Sequence, residues 1–172
     1  MDNIINNENQ VKVAIVYFSL EGNTEYVADK ISEYIDVDVL RLEPVKNYPQ
    51  GNVSKYVWGG KSATFGEKPK LVPYQFSANQ YDVIIIGTPV WASTFTPPIK
   101  TFLKENNISE KKIALYVCYA GGQTKKCFNK LKKELPDCDI ITTLALLDPK
   151  TKQNAINDVK IKEFCAKIKN NM

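Results

Sequence analysis

Apolar residues fall into short unbroken blocks, separated by stretches in which they recur every three or four positions. The first block, Val11 to Phe18 (VKVAIVYF), is a nearly continuous run of β-branched and aromatic residues, too short to cross a membrane and typical of a strand buried on both faces. From Asn23 the period changes: Val27, Ile31 and Tyr34/Ile35 lie at helical spacing, with Asn23 or Thr24 as N-cap and Glu25 in the first turn. The same change recurs along the chain. Asp82 to Ile86 (DVIII), ended by Gly87 and Pro89, and Ile113 to Cys118 (IALYVC), ended by Tyr119 to Gln123, read as two more buried strands. A helix follows each, one opened by Thr96-Pro97-Pro98 with Ile99, Phe102 and Leu103, the other capped by Thr124 with Cys127, Phe128, Leu131 and Leu135. Val37 to Leu42 and Ile140 to Leu147 are weaker strands, the former toward a sheet edge. A last helix runs from about Thr151, with Ile161, Phe164, Cys165 and Ile168 in register.

Strands alternating with helices predict an α/β fold: right-handed crossovers and a doubly wound, five-stranded parallel sheet with helices on both faces. Residues 1–10 read as a polar tail and 11–172 as a single domain. The span of about 45–80, before the third strand, is an insertion rich in proline and glycine, with a helix expected over about 54–64. Tyr56, Val57 and Trp58 either pin it to the core or take part in a site.

At 172 residues and 44% apolar, the chain is long enough for one good core. The first ten residues lack the basic start and apolar middle of a signal peptide, so a cytoplasmic protein without a membrane span is expected. Histidine is absent and the four cysteines, Cys118, Cys127, Cys138 and Cys165, form no C-x-x-C pair, which leaves no zinc set and no histidine-based triad. The cysteines read as reduced packing residues. A net charge of +4, spread over helices and loops, is too dilute for nucleic-acid binding, and Lys125 and Lys126 read as a solvated helix face.

The chemistry sits where the first strand meets the first helix. Ser19 to Thr24 (SLEGNT) is a polar turn at a helix N-terminus, with backbone N–H groups, a glycine that lets the chain approach a ligand, and hydroxyls from Ser19 and Thr24. A phosphate suits such a turn, although both hydroxyls could simply cap the helix. Neither G-x-G-x-x-G nor G-x-x-x-x-G-K-[ST] is present.

This turn resembles the phosphate loop of flavodoxins and related FMN-binding proteins of the short bacterial type, and two later loops extend the resemblance over residues 11 to 168. Thr88-Pro89-Val90-Trp91-Ala92 resembles the loop that wraps the isoalloxazine ring, and Tyr119-Ala120-Gly121-Gly122 the loop covering its other side. The resemblance implies the strand order 2-1-3-4-5, with ligand at the rim where that order reverses. It further implies FMN as cofactor, held by Ser19, Leu20, Glu21, Gly22, Asn23 and Thr24, then Thr88, Pro89, Val90, Trp91 and Ala92, then Tyr119, Ala120, Gly121 and Gly122. Glu21 departs from the family, which often has threonine there, and the weakly basic balance departs from the acidic surface of electron-carrying flavodoxins.

With FMN carrying the chemistry, no side chain is singled out as catalytic and no metal is expected. The reading adopted is low-potential electron transfer with a redox partner protein, the chain acting as monomer or homodimer. The alternative is an FMN-dependent NAD(P)H:quinone-type oxidoreductase. A flavin-free module of the same topology lacks its marks: no acidic cluster ends the first strand, and Arg41 is the sole arginine, far from any cysteine-led phosphate loop.

Overall fold

A computed structural model of the chain describes residues 11–48, 68–121 and 123–172. The apolar blocks become strands β1 (Val13–Tyr17), β2 (Asp38–Arg41), β3 (Val83–Pro89), β4 (Lys112–Tyr119) and β5 (Asp139–Leu147). The periodic stretches become helices α1 (Asn23–Ser32), α2 (Pro97–Glu105), α3 (Thr124–Lys133) and α4 (Ala155–Lys169). All five strands run parallel in the order β2-β1-β3-β4-β5, the doubly wound arrangement expected.

The pleat divides the apolar runs between two cores, because successive side chains of a strand leave on opposite faces. Ile15, Tyr17, Ile85, Ala114 and Tyr116 meet Val27, Ile31, Phe164 and Ile168 from α1 and α4. Val16, Ile84, Ile86, Leu115 and Val117 meet Ile99, Phe102, Cys127 and Leu131 from α2 and α3. A strand covered on both sides needs apolar residues at every position, which is why β1, β3 and β4 lack alternation.

The edge strands differ. β2 is mostly exposed, and β5 alternates, with Thr142 buried and Thr143 exposed. β5 also carries a bulge: Ile113 pairs with Ile140 but Ala114 with Thr142, leaving Ile141 as the extra residue.

Three boundaries depart from the sequence reading. Gly87 does not end the third strand. It lies inside β3, paired with Tyr17 on one side and Tyr116 on the other. The N-cap of α1 is Gly22 and not Asn23 or Thr24, which are its first helical residues. The last helix begins at Ala155, capped by the Asn154 side chain, which accepts from Asn157 N at 2.9 Å. Thr151 instead closes a turn on Asp148, donating from N to its carbonyl at 3.1 Å.

The expected helix at 54–64, the anchors Tyr56, Val57 and Trp58, and Gly122 lie outside the described residues. The described ends of the insertion are fastened down. Pro44 and Leu71 form an antiparallel bridge, Thr101 Oγ1 donates to Pro69 O at 3.0 Å, and Tyr48, Tyr74 and Phe76 pack against the core of α2 and α3.

Candidate functional site

The carboxyl ends of β1, β3 and β4 lie side by side, since Tyr17, Gly87 and Tyr116 share one register. The segments leaving those strands therefore meet at one rim, where a doubly wound sheet takes its ligands. Ser19, Leu20, Glu21, Asn23 and Thr24 line a groove together with Pro89, Val90 and Trp91, with Cys118, Tyr119 and Ala120, and with Asp148 from the loop after β5.

The first segment builds an uncapped helix start. Gly22 holds φ 86°, a left-handed angle natural to glycine, and donates from N to Ser19 Oγ at 3.1 Å. Its carbonyl accepts from Tyr26 N at 2.9 Å and so begins α1, which receives no side-chain cap. The N–H groups of Asn23, Thr24 and Glu25 consequently have no intrahelical carbonyl, and they stand at the positive end of the helix dipole. The Asn23 side chain ties the turn to the loop after β5, its Oδ1 accepting from Lys150 N at 3.0 Å. Thr24 is fully buried and its Oγ1 makes no hydrogen bond of ordinary geometry; its polar neighbour is the Cys118 thiol, a weak partner. Burial pushes that thiol up to about 12, so Cys118 forms a neutral wall rather than a thiolate.

The second segment is a tight turn. Trp91 and Thr94 exchange N–H to carbonyl bonds, both 2.9 Å, across Ala92 (φ 48°) and Ser93 (φ 59°). Two consecutive positive angles define a type I′ turn, normally made by Asn-Gly. The turn sets the Trp91 ring edge-on to Phe18, 5.7 Å away, and to Tyr48, 5.0 Å away.

Thr88 serves the loop from behind. It is fully buried, accepts from Thr96 N at 3.1 Å and shares a 3.0 Å bond with Thr96 Oγ1, joining the two ends of the segment. The rim is also laced from loop to loop: Val90 N donates to Cys118 O, and Asp148 N to Tyr119 O, both at 2.9 Å.

Ten of the residues expected from sequence, Ser19, Leu20, Glu21, Asn23, Thr24, Pro89, Val90, Trp91, Tyr119 and Ala120, thus line one groove. Gly22 shapes it, Thr88 and Ala92 hold its loop, and Gly121 is exposed with open space beside it. Sequence reasoning missed Cys118 and Asp148 as lining residues. The available signal was position alone: Asp148 directly follows a strand that pairs with β4.

A model of the family described as flavodoxin matches residues 12–162. The chain belongs to the flavodoxin family. No curated protein sequence matches it. Among solved structures, it is similar to the flavoprotein from Lactobacillus acidophilus in complex with FMN, at 22% identity and TM-score 0.70 over 81% of this chain and 95% of that one. It is similar to oxidised Flavodoxin 2 from Bacillus cereus, at 18% and 0.63 over 94% and 100%. It is also similar to two-electron reduced Megasphaera elsdenii flavodoxin, at 22% and 0.55 over 91% and 99%.

The rim of this flavodoxin-family chain fits a flavin mononucleotide on its own chemistry. Three N–H groups at the uncapped start of α1 offer donors to a phosphate, and an indole and a phenol line the same groove. Among the described residues no group of acidic and sulfur side chains could hold a metal, and no helix is long and apolar enough to cross a membrane.

Proposed function

We propose that the groove binds FMN and that the protein transfers electrons to or from a redox partner protein. The observation that carries this reading is the uncapped N-terminus of α1, whose first residues Asn23 and Thr24 line the same groove as Trp91 and Tyr119. Bound FMN supplies the one- and two-electron redox chemistry, and the chain supplies binding, orientation and electrostatics.

In this reading Ser19 accepts from Gly22 N and keeps its own hydrogen to give to a phosphate oxygen. The N–H groups of Asn23, Thr24 and Glu25 add fixed donors that need no reorganisation. The Trp91 and Tyr119 segments cover the flat ring system, excluding water and presenting backbone donors and acceptors to its edge. Cys118, kept neutral by burial, places no charge beneath the site.

The test is the visible spectrum of purified protein before and after addition of FMN and desalting. Retained flavin absorption is the expected result, and its absence with excess FMN overturns the proposal. Titration of the loaded protein with a chemical reductant and with NAD(P)H then reads the function. Reduction by the chemical reductant with negligible NAD(P)H oxidation is expected of a carrier, and rapid NAD(P)H oxidation overturns the carrier assignment.

A further inference from the structure

Lys150 stands outside every sequence motif, yet it lies against the phosphate-type turn. It follows β5 at the sheet edge, and its main chain is fixed there because Lys150 N donates to Asn23 Oδ1 at 3.0 Å. The side chain folds back over Gly22. A Cβ on Gly22 would lie 2.6 Å from Lys150 Nζ, 3.2 Å from its Cδ and 3.4 Å from its Cε. The ammonium therefore sits beside the residue that opens α1.

That charge is not spent elsewhere. Among the described residues, ion pairs occupy Lys30, Arg41, Lys104 and Lys152, and none occupies Lys150. The nearest acid along the chain, Asp148, pairs with Lys152 at 3.1 Å. An ammonium without an ion-pair partner, beside the residue that opens α1, adds a full positive charge to the positive end of the helix dipole. A lysine acts there as a point charge on a flexible stem, able to follow a phosphate without fixing its orientation.

We propose that Lys150 is the cationic clamp for the phosphate monoester of the bound flavin, so that the site selects the phosphorylated flavin over riboflavin by charge. The inference rests on the FMN reading above and adds a residue from the loop after β5 to the phosphate site.

The experiment compares the dissociation constants of FMN and riboflavin for the wild type, Lys150→Gln and Lys150→Arg at low and high salt. FMN binding is expected to weaken about tenfold in Lys150→Gln, as suits one charge-assisted contact near the surface, with riboflavin binding unchanged. Lys150→Arg should restore most of the FMN affinity, and the variant's deficit should shrink at high salt. Equal weakening for both flavins, or FMN binding untouched by the substitution, overturns the clamp while leaving the flavin site standing. A wild type that binds neither flavin removes the FMN reading and the clamp with it. Matching thermal unfolding of wild type and variant without flavin excludes a folding defect.

Discussion

Tyr116, fully buried in the middle of β4, donates its phenolic hydrogen to the carbonyl of Thr24 in the first turn of α1, 3.0 Å away. Between them runs β3, and the ring passes over it at Gly87, where a Cβ would stand 2.1 Å from the phenol carbon. The central sheet and the phosphate-type turn are thus joined by one side chain crossing a neighbouring strand.

Tyr116→Phe keeps the ring and removes only that bond. It should lower stability by about 1 kcal/mol, the net value of a buried hydrogen bond, read as a lower urea midpoint with unchanged slope. An unchanged midpoint would mean the bond contributes nothing.

Gly87→Ala should be more damaging, by about 1–3 kcal/mol or more, because the added methyl collides with a ring that has nowhere to retreat. In a Tyr116→Leu background the same substitution should be milder. Additive effects in this double-mutant cycle would show that the collision is not with Tyr116.

Ser93→Gly should raise stability. Ser93 holds φ 59° in the turn that presents Trp91, and relieving a left-handed angle in a non-glycine residue is worth about 1 kcal/mol. A melting temperature about 2–4 °C higher is the expected reading for a chain of this size. A lower one would mean the serine makes a contact that outweighs its strain.

Trp91→Ala should weaken FMN binding by about 0.5–1.5 kcal/mol beyond the area lost, since the indole lines the groove, partly buried and edge-on to Phe18 and Tyr48. Isothermal titration would measure it, and an unaltered affinity would take Trp91 out of the flavin site.

Alkaline pH should destabilise the fold. Burial, the first cause in each case, pushes Cys118, Cys127 and Tyr17 up to about 12 and Cys165 up to about 11. The folded chain therefore holds these protons more tightly than the unfolded one, which releases its thiol protons near 9. Their contribution is complete below about pH 9 and is lost as pH rises toward 12. Urea midpoints should fall across that range, and Cys127→Ala should show a shallower fall. A flat profile would contradict the expected burial of these groups in the folded state.

Much of the architecture was legible because burial on both faces demands unbroken apolar runs, and β1, β3 and β4 have them. Gly87 misled for a physical reason: glycine after a β-branched run ordinarily marks a strand end, and here it makes room for Tyr116, a relation between residues far apart in sequence. The N-cap of α1 was misplaced by one or two residues because Asn23 and Thr24 are good caps by type. The structure uses neither, sending Asn23 to Lys150 and leaving the Thr24 hydroxyl without a proper bond. Lys150 itself carried no signal. Its place beside Gly22 arises from contacts between loops far apart in sequence, the bond from Lys150 N to Asn23 Oδ1 among them.

The bonds that lace the rim, from Val90 to Cys118, from Asp148 to Tyr119 and from Lys150 to Asn23, are all donated by main-chain N–H groups. Any non-proline residue at positions 90, 148 or 150 would still offer the same donor. The contour of the groove can therefore outlive changes in its spelling. Such tolerance suits a fold that overlays the Lactobacillus acidophilus flavoprotein at a TM-score of 0.70 while sharing 22% of its residues.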